Sequence, residues 1–279
     1  MTCFTASRPS LLHYWCCLLP TSPEDLEALD QSCIEIINAI TLGDPEDRRQ
    51  TRTRPFTVIA EGGGKYWVKS TAKCGLVSEL VCGRLADLLG CGSPAVVMGV
   101  DQSIVPPDRT GEFANPDALY VGILHLPDSI NLREVSETML RSKGLPPESI
   151  DGRSRAAVVA FQSWIGLGDN QVMVGLSNGR VYSIDHEDTF NNLKTSAPLD
   201  LIVTGAAVIP DVVGKEPESV ENTIIQIENL QDNDLLGAVS KVPSGTEWNA
   251  DPDRRLQIAD WLSARKKHLR GVMESWAQT

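Results

Sequence analysis

The hydrophobic pattern of the chain changes its period near residue 125. Before that point the apolar runs are short and strand-like, and after it they recur at helical spacing. The strand-like runs are Phe56–Ala60, Lys65–Ser70, Ala95–Val100 and Ala118–Leu124, with an amphipathic helix at Leu76–Leu89. The later helices are Asn131–Lys143, Arg153–Leu167, Leu199–Ile209, Pro217–Leu230, Asp232–Ser240 and Asp253–Trp276. This order predicts an α+β chain of two lobes, with a small antiparallel-sheet N-lobe that holds one helix and a mainly helical C-lobe.

A further helix is predicted ahead of the sheet. Ser22 and Pro23 have the residue types of a helix start, and apolar residues then recur at helical spacing through Ile40 until Gly43. The charged segment Asp44–Pro55 reads as an exposed linker. We therefore expect a helical appendage and linker over residues 1–50, the N-lobe over 51–125 and the C-lobe over 126–279. Whether the first 50 residues inhibit, dimerise or simply pack is left open.

Charge and cysteine usage limit the class of protein. The formal net charge of −12 and pI of about 4.8 argue against direct binding to nucleic acid or to an anionic membrane. Small molecules or proteins are the expected partners. Seven cysteines without a C-x-x-C pair favour a reduced, cytoplasmic protein. The apolar run Leu11–Leu19 is interrupted by His13 and lacks a cleavage site, so we do not expect a secretory signal.

Two isolated aspartates in the second half each follow an apolar run. Asp169, with Asn170 beside it, closes the loop after a predicted helix, and Asp185 follows the short strand Arg180–Ile184. A hairpin between them would bring the carboxylates together. Two acids and an amide can share Mg²⁺ ions that bridge the phosphates of a nucleotide. The pair therefore predicts a phosphotransferase.

The first half offers complementary groups for a nucleotide. Gly62, Gly63 and Gly64 connect two predicted strands, and glycines let backbone N–H groups approach phosphate oxygens. Lys69, near the end of the second strand, could hold the phosphates. Glu79 lies off the apolar stripe of the following helix and could orient Lys69, although a surface glutamate is an equal alternative. His125, at the predicted crossing between the lobes, is a further candidate nucleotide contact.

These motifs together resemble the HipA-like kinases and, more distantly, the phosphatidylinositol kinases, which are branches of the protein-kinase-like fold. The resemblance runs from about Phe56 to Trp276. The motifs that carry it are Tyr66-Trp67-Val68-Lys69, Ser78-Glu79-Leu80-Val81, Leu88-Leu89-Gly90 with Ser93-Pro94, Trp164-Ile165 with Asp169, Ile184-Asp185-His186-Glu187, Val242-Pro243, and Trp261-Leu262 with Arg265-Lys266.

The resemblance implies roles for single residues. Lys69 would hold the phosphates of ATP, Asp169 would orient or deprotonate the acceptor hydroxyl, and Asp185 and Asn170 would bind Mg²⁺. It implies transfer of the γ-phosphoryl group to a Ser or Thr hydroxyl of a protein. The sequence departs from the pattern at Asp169-Asn170, because kinase loops separate these two residues by several positions. A pseudokinase that binds a nucleotide or a partner therefore stays open, as does a small-molecule kinase.

Overall fold

The strands in the first half of the described chain form a closed barrel. The computed structural model describes residues 34–43, 55–70, 75–113, 115, 118–131, 137–167, 171–190, 216–243, 248 and 250–277. Within these ranges the strands of the first half are β1 (Ile36–Leu42), β2 (Phe56–Ala60), β3 (Lys65–Lys69), β4 (Ala95–Val100) and β5 (Leu119–Leu124). They close in the order β1-β2-β3-β5-β4. All neighbouring pairs are antiparallel except β1 and β4, which run parallel. The predicted sheet is thus present, but it is closed and mixed where an antiparallel one was expected.

The barrel interior is filled by alternate residues of its strands. Phe56, Val58 and Ala60 of β2 are fully buried and point inward, as the period of two for a strand requires. They pack with Val68, Met98 and other apolar side chains of the same cluster. This core is separate from the larger core described below. The outward face of β3 and β5 therefore faces the rest of the molecule.

The helix predicted through Ile40 is wrong over Ile36–Leu42, which form β1. The spacing of the isoleucines suits a helix, but this strand pairs with both β2 and β4, and those ladders supply its hydrogen bonds. Ile36 and Ile40 are 42% and 58% exposed, so two members of the supposed buried stripe lie on the outer face of the barrel. The remainder of the predicted helix and most of the predicted linker lie outside the described residues. The domain boundaries stay predictions.

The predicted helix between β3 and β4 is confirmed as α1, Gly75–Leu88. It packs against β4 and β5 on one side and against a helix of the second half on the other. Gly83 permits a close approach, because a Cβ there would collide with the methyl group of Ala95 at the start of β4. Almost every residue of α1 is buried, including Glu79, whose exposed fraction is 1%.

The second half is mainly helical and contains a small sheet. Its described elements are β6 (Ser129–Asn131), α2 (Glu137–Ser142), α3 (Gly152–Ile165), β7 (Gln171–Gly175), β8 (Val181–Ile184), α4 (Pro217–Glu228), α5 (Asp232–Val239) and α6 (Pro252–Ala277). The predicted start of a helix at Asn131 is wrong, because that residue ends β6 and pairs with Met173 of β7. The helix predicted at Leu199–Ile209 lies outside the described residues.

One large core joins α1 to the helices of the second half. The helix α3 begins at the N-cap Asp151 and ends at Gly166, which has the left-handed φ of 64° that favours glycine. Arg265 of α6 donates to the carbonyls of Ser163 and Trp164 at this end, where the last carbonyls of a helix lack their i+4 donors. Within the described ranges, no helix combines the length and apolar character that crossing a bilayer requires.

The strand β8 is joined to the turn that follows α1. The Ser183 backbone N–H donates to the Cys91 carbonyl at 2.8 Å, and Gly92 forms a parallel bridge with Ser183. These contacts cross between the two halves of the chain. They bring the residues after β8 close to α1 and to the end of β3, which is where the candidate site lies. Cys82 and Cys91 are buried and free, and the other cysteines lie outside the described residues.

Candidate active site

Lys69 lies at the centre of a buried charge cluster. It is the last residue of β3, and its exposed fraction is only 7%. Its Nζ donates to the Glu79 carboxylate and, at 2.5 Å, to Oδ1 of Asp185. Burial lowers the pKa of the Lys69 ammonium, but attraction by Glu79 and Asp185 outweighs it, so the pKa lies above the ordinary value. Of the two alternatives for Glu79, the ion pair with Lys69 is the one present, and Lys69 is charged at neutral pH.

The two carboxylates on Lys69 differ in how strongly they hold a proton. Burial raises the pKa of Glu79 to about 7, although the Lys69 ammonium opposes the rise. Asp185 is less buried, with 23% of its side chain exposed. Burial also raises the pKa of Asp185, but Lys69 outweighs burial there, and the pKa falls below the ordinary value. At neutral pH Asp185 is therefore ionised, while Glu79 lies near its titration midpoint.

The backbone turns sharply at Asp185. Its φ of 61° lies in the left-handed region, which aspartate tolerates better than most residues. The turn places the carboxylate of Asp185 on Lys69, while the next side chain, His186, is buried. Two consecutive residues after β8 thus have different environments, with Asp185 partly exposed at the site and His186 in the core.

His186 belongs to a buried polar chain. Its Nε2 lies 2.8 Å from the Ser183 hydroxyl, which also accepts a hydrogen bond from Gln162 of α3 at 3.0 Å. Its Nδ1 lies 3.7 Å from Glu79, and the ring packs edge-on against Phe161. Burial lowers the pKa of His186 to about 3, so the imidazole is neutral. These contacts give His186 a structural role and tie α3 to the acidic cluster.

A third carboxylate, Glu187, completes an arrangement that can hold a metal ion. One oxygen each from Glu79, Asp185 and Glu187 lies within 4.8 Å of the others. Hard cations such as Mg²⁺ prefer carboxylate oxygens, and one lysine does not neutralise three acids. Sequence reasoning missed Glu187 as a ligand. No local pattern marked it, because Asp185 has a left-handed φ and Glu187 begins a turn, so the two-residue alternation of a strand does not apply after β8.

The remaining predicted residues are not gathered on Lys69. Gly62, Gly63 and Gly64 form the exposed turn from β2 to β3, where Gly62 and Gly63 have φ values of 84° and 83°. Lys69 is five residues further along, roughly 16 Å at the rise of an extended strand. His125 adjoins this same end, because its backbone N–H donates to the Lys65 carbonyl. Asp169 and Asn170 lie outside the described residues.

An aromatic pair lies between the two ends of β3. The His125 ring stacks on Trp67, with 5.6 Å between centroids and 24° between planes. Trp67 and Lys69 are two residues apart on β3, so their side chains project from the same face. That face also carries Val121 and Ile123 of β5, which adjoin the larger core. Trp67, His125 and Lys69 therefore line one outer face of the barrel.

Comparison with solved structures identifies the fold. No protein-family model and no curated protein sequence matches the chain. The crystal structure of a Helicobacter pylori proinflammatory kinase, CtkA, superposes with a TM-score of 0.54 at 8% identity, covering 88% of this chain and 99% of that one. Two structures of the Golgi casein kinase, one with Mn/ADP bound, are more distant. Their TM-scores are 0.44 and 0.45 at 12% identity, and they cover 91% of this chain and 76% and 78% of theirs.

The likeness to CtkA shows that this chain has a kinase-like α+β fold. The identity of 8% carries information about architecture and none about the reaction. The resemblance to HipA-like kinases stays a prediction, since no family model matches. The chemistry open to this chain depends on the cluster of Lys69, Glu79, Asp185 and Glu187.

Proposed function

We propose that this chain is an ATP-dependent phosphotransferase of the HipA-like type, which moves the γ-phosphoryl group of ATP to a Ser or Thr hydroxyl of a protein. The observation that carries the proposal is the Lys69 ammonium held between Glu79 and Asp185 on the outer face of the barrel. In kinases, a strand lysine is oriented by a helix glutamate and approaches the acid that binds the metal. A kinase-like fold makes the same arrangement here meaningful.

Lys69 supplies the phosphate contact in this proposal. An ammonium group has three N–H donors, and in the described contacts two are directed at Glu79 and Asp185. The third can donate to a phosphate oxygen of the nucleotide. Because Glu79 and Asp185 fix the amine at the end of β3, the side chain is ordered before the nucleotide arrives, and less entropy is lost on binding.

The acidic groups beside Lys69 fit a divalent cation. Asp185 is ionised at neutral pH, and Glu187 and Glu79 offer oxygens within 4.8 Å of it. In this proposal Asp185 and Glu187 hold Mg²⁺, together with Asn170, while Glu79 serves mainly to orient Lys69. When bound, Mg²⁺ offsets the charge of the phosphates and fixes their orientation.

The aromatic pair of Trp67 and His125 suits the base of the nucleotide. Any of the nucleic-acid bases can stack on an aromatic side chain, because every base has a π-face. The pair lies on the same face of the barrel as Lys69, toward the other end of β3. In this orientation Gly62, Gly63 and Gly64 adjoin the base and not the phosphates, because their turn is at the end of β3 away from Lys69.

The transfer itself is assigned to Asp169. The acceptor hydroxyl oxygen forms a bond to the γ-phosphorus while the bond to the bridging β,γ oxygen breaks, and ADP leaves with that electron pair. Asp169 takes the hydroxyl proton. Lys69 stabilises the charge that develops on the phosphate oxygens. The role of Asp169 rests on its position in the sequence directly after α3.

A second candidate function is a kinase-like module that binds a nucleotide without transferring its phosphate. The supporting observation is the short connection after α3, which ends at Ile165 while β7 begins at Gln171. Asp169 and Asn170 are therefore adjacent at the end of a five-residue connection. Neighbouring residues need not point in the same direction, so Asn170 need not reach an ion that is held by Asp185.

Incubation with γ-labelled ATP and Mg²⁺ separates these two functions. The proposed enzyme incorporates label into itself or a protein acceptor, and Lys69→Met, Asp169→Asn and Asp185→Asn each abolish incorporation. Asp128→Asn is the matched control, because Asp128 is an exposed aspartate that also has a left-handed φ, 51°, which asparagine tolerates.

Each outcome of this experiment assigns a function. Label on a protein Ser or Thr, lost in the three variants and kept in the control, supports the kinase. Nucleotide binding without transfer supports the non-catalytic module. Transfer to a soluble hydroxyl compound in place of protein supports a small-molecule kinase. Incorporation that survives Asp185→Asn would overturn the assignment of the site.

A further inference from the structure

The helix that carries Glu79 also carries a half-buried arginine that reaches the second half of the chain. Arg84 of α1 donates through Nη1 to the Ala238 carbonyl at 2.9 Å and to the Ser240 carbonyl at 2.7 Å. Its Nη2 donates to the Lys241 carbonyl at 3.3 Å. Burial lowers the pKa of Arg84 to about 10, which leaves the guanidinium protonated at neutral pH.

The acceptors of Arg84 are the Ala238 carbonyl in the last turn of α5 and the Ser240 and Lys241 carbonyls directly after the helix. The last carbonyls of a helix have no intrahelical donor, and they form the negative end of the helix dipole. A cation is favourable there for both reasons, and its fork of donors satisfies several carbonyls at once. Since these bonds are directional, they fix the rotation of α1 about its axis as well as its distance from α5.

Two further hydrogen bonds lie on either side of Arg84, one to α1 itself and one to the turn that follows it. The Phe190 backbone N–H donates to the Ser78 hydroxyl at 3.4 Å, and the Cys91 carbonyl accepts from Ser183 at 2.8 Å. Both reach the segment that contains Asp185. A shift of α1 that moved Glu79 off Lys69 would break the three bonds of Arg84 and leave a partly buried guanidinium without these acceptors, which is costly.

We propose that Arg84 is a positioning residue that holds Glu79 against Lys69, so that this half of the site is assembled without a partner or a modification. Its importance for phosphoryl transfer rests on the function proposed above. The positioning itself is a property of the folded chain, and it can be measured without any nucleotide.

The direct readout is the reactivity of the Lys69 amine toward a small acylating reagent, followed by peptide mass spectrometry at pH 8. In the native protein Lys69 reacts slowly, because it is 7% exposed and its Nζ is hydrogen-bonded to Glu79 and Asp185. Arg84→Met removes the donors but keeps most of the volume. We expect Lys69 in this variant to react about tenfold faster than in the native protein. A tenfold change corresponds to about 1.4 kcal/mol, which is near the lower value for one hydrogen bond to a charged group.

Two comparisons separate positioning from general loss of stability. Lys266→Met removes a comparable charged donor, since Lys266 donates to the Leu230 carbonyl just after α4 at 2.5 Å and pairs with Asp232, neither of which belongs to α1. Every variant is labelled at a temperature that lies the same number of degrees below its own melting temperature. Lys65, at the other end of β3, is the internal reference for fraying of the strand. Glu79→Gln provides a reference value, which is the reactivity of Lys69 when the side chain at position 79 has no charge.

The proposal predicts fast labelling of Lys69 in Arg84→Met, with Lys65 unchanged and Lys266→Met like the native protein. Arg84→Lys keeps the positive charge but loses the forked set of donors, so its Lys69 should react at an intermediate rate. This variant replaces Arg84→Met if Arg84→Met does not fold. Equal Lys69 reactivity in the Arg84 and Lys266 variants, or a parallel rise at Lys65, overturns the proposal. A failure to bind ATP would instead overturn the proposed function and leave this result unaffected.

Discussion

Replacement of Lys69 by methionine should destabilise the protein by an amount that depends on pH. The substitution keeps most of the side-chain volume but removes the cation between Glu79 and Asp185. Breaking a buried pair by removal of one partner costs about 3–5 kcal/mol, because the remaining charge is left without compensation. The cost is smaller at pH values where Glu79 takes up a proton, because the protonated side chain has no charge that needs a partner.

The direction of the pH effect follows from the pKa of Glu79. Because burial raises the folded-state pKa to about 7, the folded protein holds this proton more tightly than the unfolded chain. The resulting stability is present at low pH and is lost as the pH rises through 7. Lys69 opposes the raised pKa, so without it the pKa moves higher still, and the variant keeps losing stability at pH values where the native protein has stopped.

The magnitude follows from the same linkage. At pH 5.5 Glu79 is protonated in both proteins, and the variant loses mainly the bond to the partly exposed Asp185, about 1.5 kcal/mol. Above pH 7 the difference grows by up to about 1.4 kcal/mol per pH unit, which adds about 2 kcal/mol by pH 8.5. We therefore expect a loss of about 3.5 kcal/mol at pH 8.5, within the range for a broken buried pair.

Urea unfolding in EDTA at both pH values measures this difference. Lys266→Met is the control, because Lys266 donates to a backbone carbonyl and its charged neighbour, Asp232, has 74% of its side chain exposed. Its loss of stability should be the same at pH 5.5 and 8.5. An equal loss for Lys69→Met at the two pH values, or a larger loss at pH 5.5, would refute the account of the Glu79 proton.

Two more predictions concern α1 and the loop after β8. Gly83→Ala should destabilise by about 1–2 kcal/mol in thermal or urea unfolding, because overpacking against Ala95 outweighs the gain of about 1 kcal/mol in helix propensity. Gly271→Ala in α6, where no described atom lies within 4 Å of a Cβ, should instead stabilise, and the opposite order would contradict the packing of α1. His186→Asn should reduce the acid sensitivity of the protein, since the folded-state pKa of His186 is about 3 and its stability contribution is lost as the pH falls below about 6.5. Stability curves of equal slope between pH 7 and 5 in the two proteins would show that His186 does not carry a buried neutral imidazole.

Local patterns predicted much of the fold. The strands β2 and β4 were placed at their observed bounds, and α1 to within a residue at each end, because alternation and helical periodicity are visible in the sequence. The strand β1 was missed because Ile36, Ile37 and Ile40 fit a helical spacing as well as a strand. Its identity depends on pairing with β4, more than fifty residues later, and no local window contains that partner.

The candidate site shows the same limit. Lys69 and Asp185 are 116 residues apart, and only the resemblance to a kinase suggested that they meet. Glu79 was an even choice between partner and surface residue, because its burial depends on how close the barrel comes to α1. Glu187 was missed since nothing in the sequence shows that the loop after β8 folds back on α1. The roles of Asp169 and Asn170 stay predictions.

The central claim is that Lys69 and Asp185 form a site for a nucleotide with its metal ion. Isothermal titration with a non-hydrolysable ATP analogue tests it most directly, in Mg²⁺ and in EDTA, for the native protein, Asp185→Asn and Asp128→Asn. The account predicts that the native protein binds the analogue only in Mg²⁺. Binding should be at least about tenfold weaker in Asp185→Asn, a loss of about 1.4 kcal/mol. Binding should be unchanged in Asp128→Asn. Binding of equal strength in Asp185→Asn, or no binding by the native protein in Mg²⁺, would contradict it.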